Sequence, residues 1–140
     1  MNEFCAAMGL CNLRHIDDAI ASRKIAAQRY RERLENINGL VLAPMQKGVK
    51  SNYAYFPVVV EPETFGKTRE DIIDALSKEN IGARRYFYPL TSSVESFGGA
   101  YVQENTPIAK RISENVLCLP LYEGLEKETV DRICDIILKK

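Results

Sequence analysis

Two guanidinium groups and three aromatic rings stand side by side in the run Ile81-Gly82-Ala83-Arg84-Arg85-Tyr86-Phe87-Tyr88-Pro89-Leu90. Planar cations beside flat π surfaces can pair with an anion and stack a ring, and a diphosphate-bearing ligand suits both. Side chains alternate along an extended segment, which sends Arg84, Tyr86 and Tyr88 to one face and Arg85 and Phe87 to the other. Each face then carries one arginine next to an aromatic surface.

The rest of the chain offers little other chemistry. Cys5, Cys11, Cys118 and Cys134 contain no Cys-x-x-Cys pair, and the single histidine, His15, is too little to complete a zinc site, so no metal is expected. The cysteines lie among apolar residues and read as small buried thiols. His15 falls on a predicted helix with no Ser, Cys or acidic partner identifiable beside it, and a role as a base is not expected.

The elements that must position the run are those of an ordinary globular domain. The chain has 140 residues, 46% hydrophobic and 27% charged, which predicts one domain over 1–140. Nineteen basic and nineteen acidic residues cancel, so no overall field draws the chain to nucleic acid or to an anionic membrane, and anion recognition must be local. No apolar run approaches the roughly 18 to 20 residues that span a bilayer, and the amino terminus lacks a signal-peptide pattern. The expectation is a cytoplasmic protein with no membrane partner.

Apolar residues recur three to five apart from Phe4 to Ile37 without a proline, which predicts a long helix over 2–38, bent near Gly9 or at Asp17-Asp18 and stopped by Gly39. Leu40-Val41-Leu42 is a short strand, and Tyr53 to Val60 a second, with Pro57 placed at a loop, a bulge or the sheet edge because it lacks a ladder donor. Thr68 caps a helix whose buried stripe is Ile72, Ile73 and Leu76. The aromatic strand follows, then a loop from Thr91 to Gln103. Thr106-Pro107 starts a helix with Ile108, Ile112 and Val116 on one face. Leu117–Leu121 is a strand, and Lys127–Lys140 is a helix with Val130, Ile133, Ile136 and Ile137 inward. This order predicts an α/β (α+β-like) sandwich: a small mixed or antiparallel sheet covered by helices on one face, with a long N-terminal helix partly outside it.

Three segments resemble one family. The aromatic run resembles the Arg-x-His-Tyr-x-Pro-Leu-His stretch of the PLP-dependent nucleotide-sugar aminotransferases of the DegT/StrS type, in the variant that reads Arg-Tyr-Phe-Tyr-Pro-Leu. Phe87 is taken to stand where many members have histidine. Met1-Asn2-Glu3-Phe4-Cys5-Ala6-Ala7-Met8-Gly9-Leu10 is similar to the helix motif that opens the last third of these enzymes, with Asn12-Leu13 where Gln-Leu is usual. Leu119-Pro120-Leu121-Tyr122-Glu123-Gly124-Leu125 resembles their Leu-Pro-Leu ending.

The resemblance implies the C-terminal small domain of a fold-type I aminotransferase, with 1–38 as the linking helix and 39–140 as sheet and helices. It also implies substrate-binding roles for Arg85, matched to the arginine, and for Phe87 and Tyr88, matched to the His-Tyr pair. The parent would be a homodimer that converts a keto nucleotide sugar to an amino sugar with glutamate as donor. A phenylalanine in place of histidine suits a deoxygenated sugar such as a dTDP-keto-6-deoxyhexose. Asn52-Tyr53-Ala54-Tyr55-Phe56 resembles the strand that enters the small domain, and core packing is the reading adopted for it.

A transaminase needs a lysine to hold pyridoxal phosphate (PLP), an acid on its ring nitrogen and a phosphate cradle. No lysine of this chain follows the Ser-x-x-Lys pattern, and no Gly-rich phosphate loop follows a strand. The expectation is therefore a substrate-side piece of a larger enzyme, begun inside a motif, inactive alone and binding no cofactor. The alternative is a non-catalytic binding or interaction module, with an apolar patch around Phe4, Met8 and Cys11.

Overall fold

Residues 1–94 and 106–139 are described by the structure, a computed structural model. Asn2 opens helix α1 (Glu3–Leu13) by accepting the Cys5 backbone N–H at 2.9 Å. The predicted long helix is in fact two, α1 and α2 (Ile16–Leu34), divided at Arg14-His15 rather than at Gly9 or Asp17-Asp18. The Arg14 and His15 amides bond back to Cys11 and Asn12 at 3.2 and 3.1 Å, a three-residue spacing that tightens the last turn and ends the run. Gly9 sits inside α1 with open space around it, so nothing calls on its freedom to bend.

The buried stripe of α2 keeps Tyr30 and Leu34 of the apolar spacing and adds alanines to them. Ala19, Ala26, Ala27, Tyr30 and Leu34 are buried, whereas Ile25 is exposed. Small alanines let α2 approach its neighbours closely, and Tyr30 supplies the bulk: its ring lies 4.8 Å from that of Phe56, and its hydroxyl donates to the Pro120 carbonyl at 3.1 Å.

Four strands form the sheet: β1 (Leu40–Leu42), β2 (Phe56–Val60), β3 (Arg84–Arg85) and β4 (Val116–Leu119). Their order is β1-β2-β4-β3 and every neighbouring pair is antiparallel. β2 and β3 therefore run parallel with β4 inserted between them, and α4 (Arg69–Lys78) makes the crossover, a split βαβ unit. This is the small antiparallel sheet that the element order predicts. Pro57 belongs to β2, an interior strand, but β1 ends with Leu42 opposite Val58, so no ladder bond toward β1 is required of it.

Register sorts the two faces. Leu40, Val60, Val58, Leu117, Phe56 and Leu119 pair across the strands on the side covered by α2, α4 and α6 (Lys127–Leu138), where they meet Ile72, Leu76, Val130 and Ile133. Val41, Val59, Pro57 and Cys118 face the other way, and the first three share a recess with Ala109, Ile112 and Ser113 of α5 (Pro107–Asn115). Ile108 and Ile112 of α5 stay exposed instead of entering the core as their spacing implies. Polar interactions lock the helix layer. Arg29 pairs bidentately with Asp131 at 2.8 and 3.0 Å, and Arg33 bridges Asp131 and Asp135.

The long connection between β1 and β2 is tied down from α2. Arg23 donates to the Asn52 carbonyl at 3.0 and 3.3 Å and Arg31 to that of Ala43. At the start of β1, Gly39 has φ +84°, and its carbonyl accepts the Glu61 amide at 2.8 Å, so the turn presses against the short helix α3 (Pro62–Phe65).

Candidate functional site

β3 is only two residues long because its sole strand neighbour is β4, with Arg84 opposite Cys118 and Arg85 opposite Leu117. Partners in an antiparallel register share a face. Arg84 thus lies on the side of Cys118, away from the helix layer, and Arg85 on the side of Leu117, at the rim of that layer. The alternation predicted for the whole run ends soon after, since Phe87 takes φ +46°, and the Tyr88–Pro89 peptide is cis. Phe87 consequently shares a recess with Tyr86 instead of opposing it; their ring centroids are 4.3 Å apart.

Arg85 is held by a carboxylate. Its Nε and Nη2 donate to the two oxygens of Glu70 at 3.0 and 2.5 Å. Glu70 also accepts from Arg69 at 3.0 Å, and Arg69 is buried, donating to the carbonyls of Ser113 and Val116 at 2.6 and 3.3 Å. A cation there satisfies carbonyls at the C-terminal end of α5. The Arg69 guanidinium also lies 4.7 Å from the ring centroid of Tyr88, a stacked cation–π contact. The Arg85 guanidinium, followed by that of Arg69, holds the Glu70 carboxyl below the usual glutamate range despite partial desolvation, and Glu70 in turn raises Arg85. These groups stand on the first turn of α4, which is fixed by a capping box: the Thr68 amide donates to Asp71 at 2.8 Å, and the Asp71 amide to the Thr68 hydroxyl at 3.1 Å.

Two recesses adjoin this segment. A cleft of about 560 Å³ opens where β2 begins and β4 ends; Tyr55, Asn80, Arg84, Cys118, Tyr122 and Thr129 are among its borders. Its size falls within the span of small-molecule sites. On the open sheet face, Val41, Pro57, Val59, Tyr86, Phe87 and Ile112 line an apolar hollow of about 470 Å³. Tyr55 borders the first and Tyr86 the second, and their ring centroids are 5.0 Å apart.

Of the residues singled out from sequence, Phe87 is 77% exposed and Tyr88 half exposed, so both can be touched from outside, while Arg85 is already paired. Counted back from Pro89-Leu90, the Arg-x-His-Tyr-x-Pro-Leu pattern sets its arginine on Arg84 and its His-Tyr pair on Tyr86-Phe87. The assignment to Arg85, Phe87 and Tyr88 runs one residue late. Tyr55, read as core, is exposed; in the same segment only Phe56 is fully buried. Arg69, to which the sequence reading gave no role, is buried.

Among the cysteines, Cys118 and Cys134 are buried, and desolvation pushes each thiol up to about 11, whereas Cys5 and Cys11 are exposed, contrary to the reading of all four as buried. Among the described residues no lysine borders the cleft or the hollow. Among the described residues no cluster of three or more His, Cys, Asp or Glu could hold a metal, and no helix is long and apolar enough to cross a membrane. Residues 95–105, the greater part of the predicted 91–103 loop, lie outside the described ones, while Thr91–Ser93 forms a turn of 3₁₀ helix.

Known proteins share both sequence and geometry with this chain. A dTDP-4-amino-4,6-dideoxy-D-glucose transaminase of Escherichia coli is 38% identical over 142 residues, covering 100% of the chain and 38% of that relative. The enzyme of the same name from Shigella dysenteriae is 33% identical over 98% of the chain and 37% of its own length. A solved structure described as DesI in the presence of its TDP-sugar product superposes with TM-score 0.89 at 25% identity, over 99% of the chain and 36% of that protein. The PLP form of a sugar aminotransferase from Streptococcus pneumoniae superposes with TM-score 0.84 at 25% identity, over 98% of the chain and 35% of its own. The chain therefore spans little more than a third of the length of the relatives it matches. The profile of the DegT/DnrJ/EryC1/StrS aminotransferase family matches residues 1–138, and the chain belongs to that family.

Proposed function

We propose that this chain is the substrate-side part of a PLP-dependent aminotransferase that converts a keto nucleotide sugar to an amino sugar. The observation that carries the reading is the family match over 1–138 joined to 38% identity with a dTDP-amino-sugar transaminase. The geometry supports it: the Arg84 guanidinium and the rings of Tyr55 and Tyr122 border one recess, and Tyr86 and Phe87 border the other, which suits a ligand with a diphosphate, a base and a sugar. In this reading residues 1–140 form the small C-terminal domain, with 1–38 as its link. Arg84, Phe87 and Tyr88 make the wall facing the nucleotide sugar, and Arg85 holds that wall to α4 through Glu70. Phe87 offers an apolar surface suited to the methyl group of a 6-deoxyhexose, and a dTDP-4-keto-6-deoxyhexose is the proposed acceptor.

PLP supplies the electron sink for amino transfer when bound. The residues of this chain do not fit as its anchor. Lys67, for one, spends its ammonium group on the Ile137 and Lys139 carbonyls at the end of α6, and no lysine among the described residues borders either recess. The anchoring lysine is assigned to the part of such enzymes that this chain does not span. Glutamate as donor, a homodimeric assembly and a cytoplasmic setting complete the proposal.

The test is a transamination assay on the enzyme that carries this chain, with dTDP-4-keto-6-deoxyglucose and glutamate, and mass spectrometry of the sugar product. The expected product has a primary amine in place of the ketone; the chain alone is expected to give none. Failure to aminate any keto nucleotide sugar, or amino transfer by the isolated 140-residue chain, refutes the proposal. A non-catalytic module would draw support from α1, which buries none of its residues; it predicts ligand binding without turnover in the same assay.

A further inference from the structure

We infer that the two adjacent arginines divide their work: Arg84 meets the anionic diphosphate of the ligand, and Arg85 is a positioning residue that ties the aromatic segment to α4. The inference rests on the nucleotide-sugar reading and assigns its residues within the same site.

Arg85 is committed. Its bidentate pair with Glu70 is the geometry in which an arginine and a carboxylate satisfy each other fully. The tie continues beyond Glu70, because that carboxylate also accepts from buried Arg69, and Arg69 stacks on Tyr88. Both ends of the segment from Arg85 to Tyr88 are thus fastened to one helical turn. A diphosphate that recruited Arg85 would have to displace Glu70, at the cost of an established charged contact, and would slacken the mounting of its own aromatic wall.

Arg84 carries none of that cost. It makes no hydrogen bond or ion pair among the described residues and borders the 560 Å³ cleft. Among the described residues neither an acid nor a second base borders that cleft, so Arg84 has no charged partner among them there. An isolated cation at a recess with apolar walls focuses a positive potential into it. Asn80 and Thr129 add neutral hydrogen-bonding groups, and Tyr55 and Tyr122 add ring surface for a base or sugar. Register alone separates the two arginines: neighbours on an extended strand point to opposite faces, so one reaches the cleft and the other the helix layer.

The experiment is calorimetric titration of dTDP, and separately of inorganic pyrophosphate, into the wild-type protein and its Arg84→Gln, Arg85→Gln and Glu70→Gln variants, with Tm recorded for each. Arg84→Gln is expected to weaken both probes by about tenfold or more, as loss of a charge-assisted contact does, with Tm unchanged. Arg85→Gln and Glu70→Gln are expected to lower Tm and to leave affinity for pyrophosphate within about threefold. Arg85→Lys, which keeps the charge and loses the bidentate geometry, covers the case in which Glu70→Gln does not fold. The inference is overturned if wild type binds neither probe, if Arg84→Gln binds as wild type does, or if Arg85→Gln weakens pyrophosphate as much as Arg84→Gln. Amino transfer with undiminished dTDP affinity in Arg84→Gln would sink this inference and spare the proposed function. Arg84-dependent binding in an enzyme that transfers no amine would do the reverse.

Discussion

Replacement of Gly39 by alanine separates backbone strain from steric collision. Gly39 and Gly124 have nearly the same left-handed conformation, with φ +84° and +81°. An L-residue in that region costs about 1–2 kcal/mol. A Cβ on Gly124 would meet nothing within 4 Å, so Gly124→Ala should cost that amount alone. A Cβ on Gly39 would lie 2.4 Å from the Phe65 nitrogen and 2.7 Å from its Cα. Those are main-chain atoms, held by the bond from Glu61 to the Gly39 carbonyl, and they cannot swing aside as a side chain could. Displacing them should add about 1–3 kcal/mol, the usual range for overpacking. Gly39→Ala is thus expected to cost about 2–5 kcal/mol. Urea denaturation followed by circular dichroism measures both variants, and with a slope of about 1–3 kcal/mol per molar the two midpoints should differ by roughly 1 M. Equal midpoints would refute the contact between the turn and α3 as the reason for glycine at 39.

Tyr30→Phe should cost about 1 kcal/mol for the lost bond to Pro120, and a cost below measurement error would count against that bond. Burial raises the Tyr30 hydroxyl above its usual value, so its contribution is full below the ordinary tyrosine pKa of 10.0 and is lost as pH rises past it; Tyr30→Phe should remove that alkaline limb from a plot of Tm against pH. At the acid end, Arg29 and then Arg33 hold Asp131 below the ordinary aspartate value of 3.8. The stability it adds is present above that value and is lost as pH falls through its depressed one, so Asp131→Asn should flatten the acid limb, and an unchanged limb would contradict the pairing. Disulfide-exchange reagent at pH 8 should titrate Cys5 and Cys11 rapidly and Cys118 and Cys134 only in denaturant; four fast thiols would show that the core is not closed.

What was legible from sequence was local chemistry. Thr68 announces a helix cap, Pro107 a helix start, and the Val-rich run from Val58 an interior strand, because each signal acts within a few residues of itself. Where tertiary packing decides, pattern failed. The α2 stripe runs through alanines, which hydropathy ranks low but close helix packing favours. Phe87 sits at positive φ, where no propensity would put a phenylalanine, so the alternation read into the aromatic run stops after Tyr86. Alternation puts Arg84 and Arg85 on opposite faces, but which face meets the helix layer is decided by the pairing of β3 with β4 and by the position of Glu70 on α4.

The insertion of β4 between β2 and β3 also has a consequence for how the chain comes off the ribosome. A nascent polypeptide that has reached Asn115 already carries every residue of the proposed ligand wall, yet it lacks the strand on which Arg84 and Arg85 hang, since β3 has no other neighbour in the sheet. Recognition is therefore among the last things this sequence acquires during synthesis. A premature stop between residues 79 and 115 would remove it while leaving β1, β2 and α4 fully encoded.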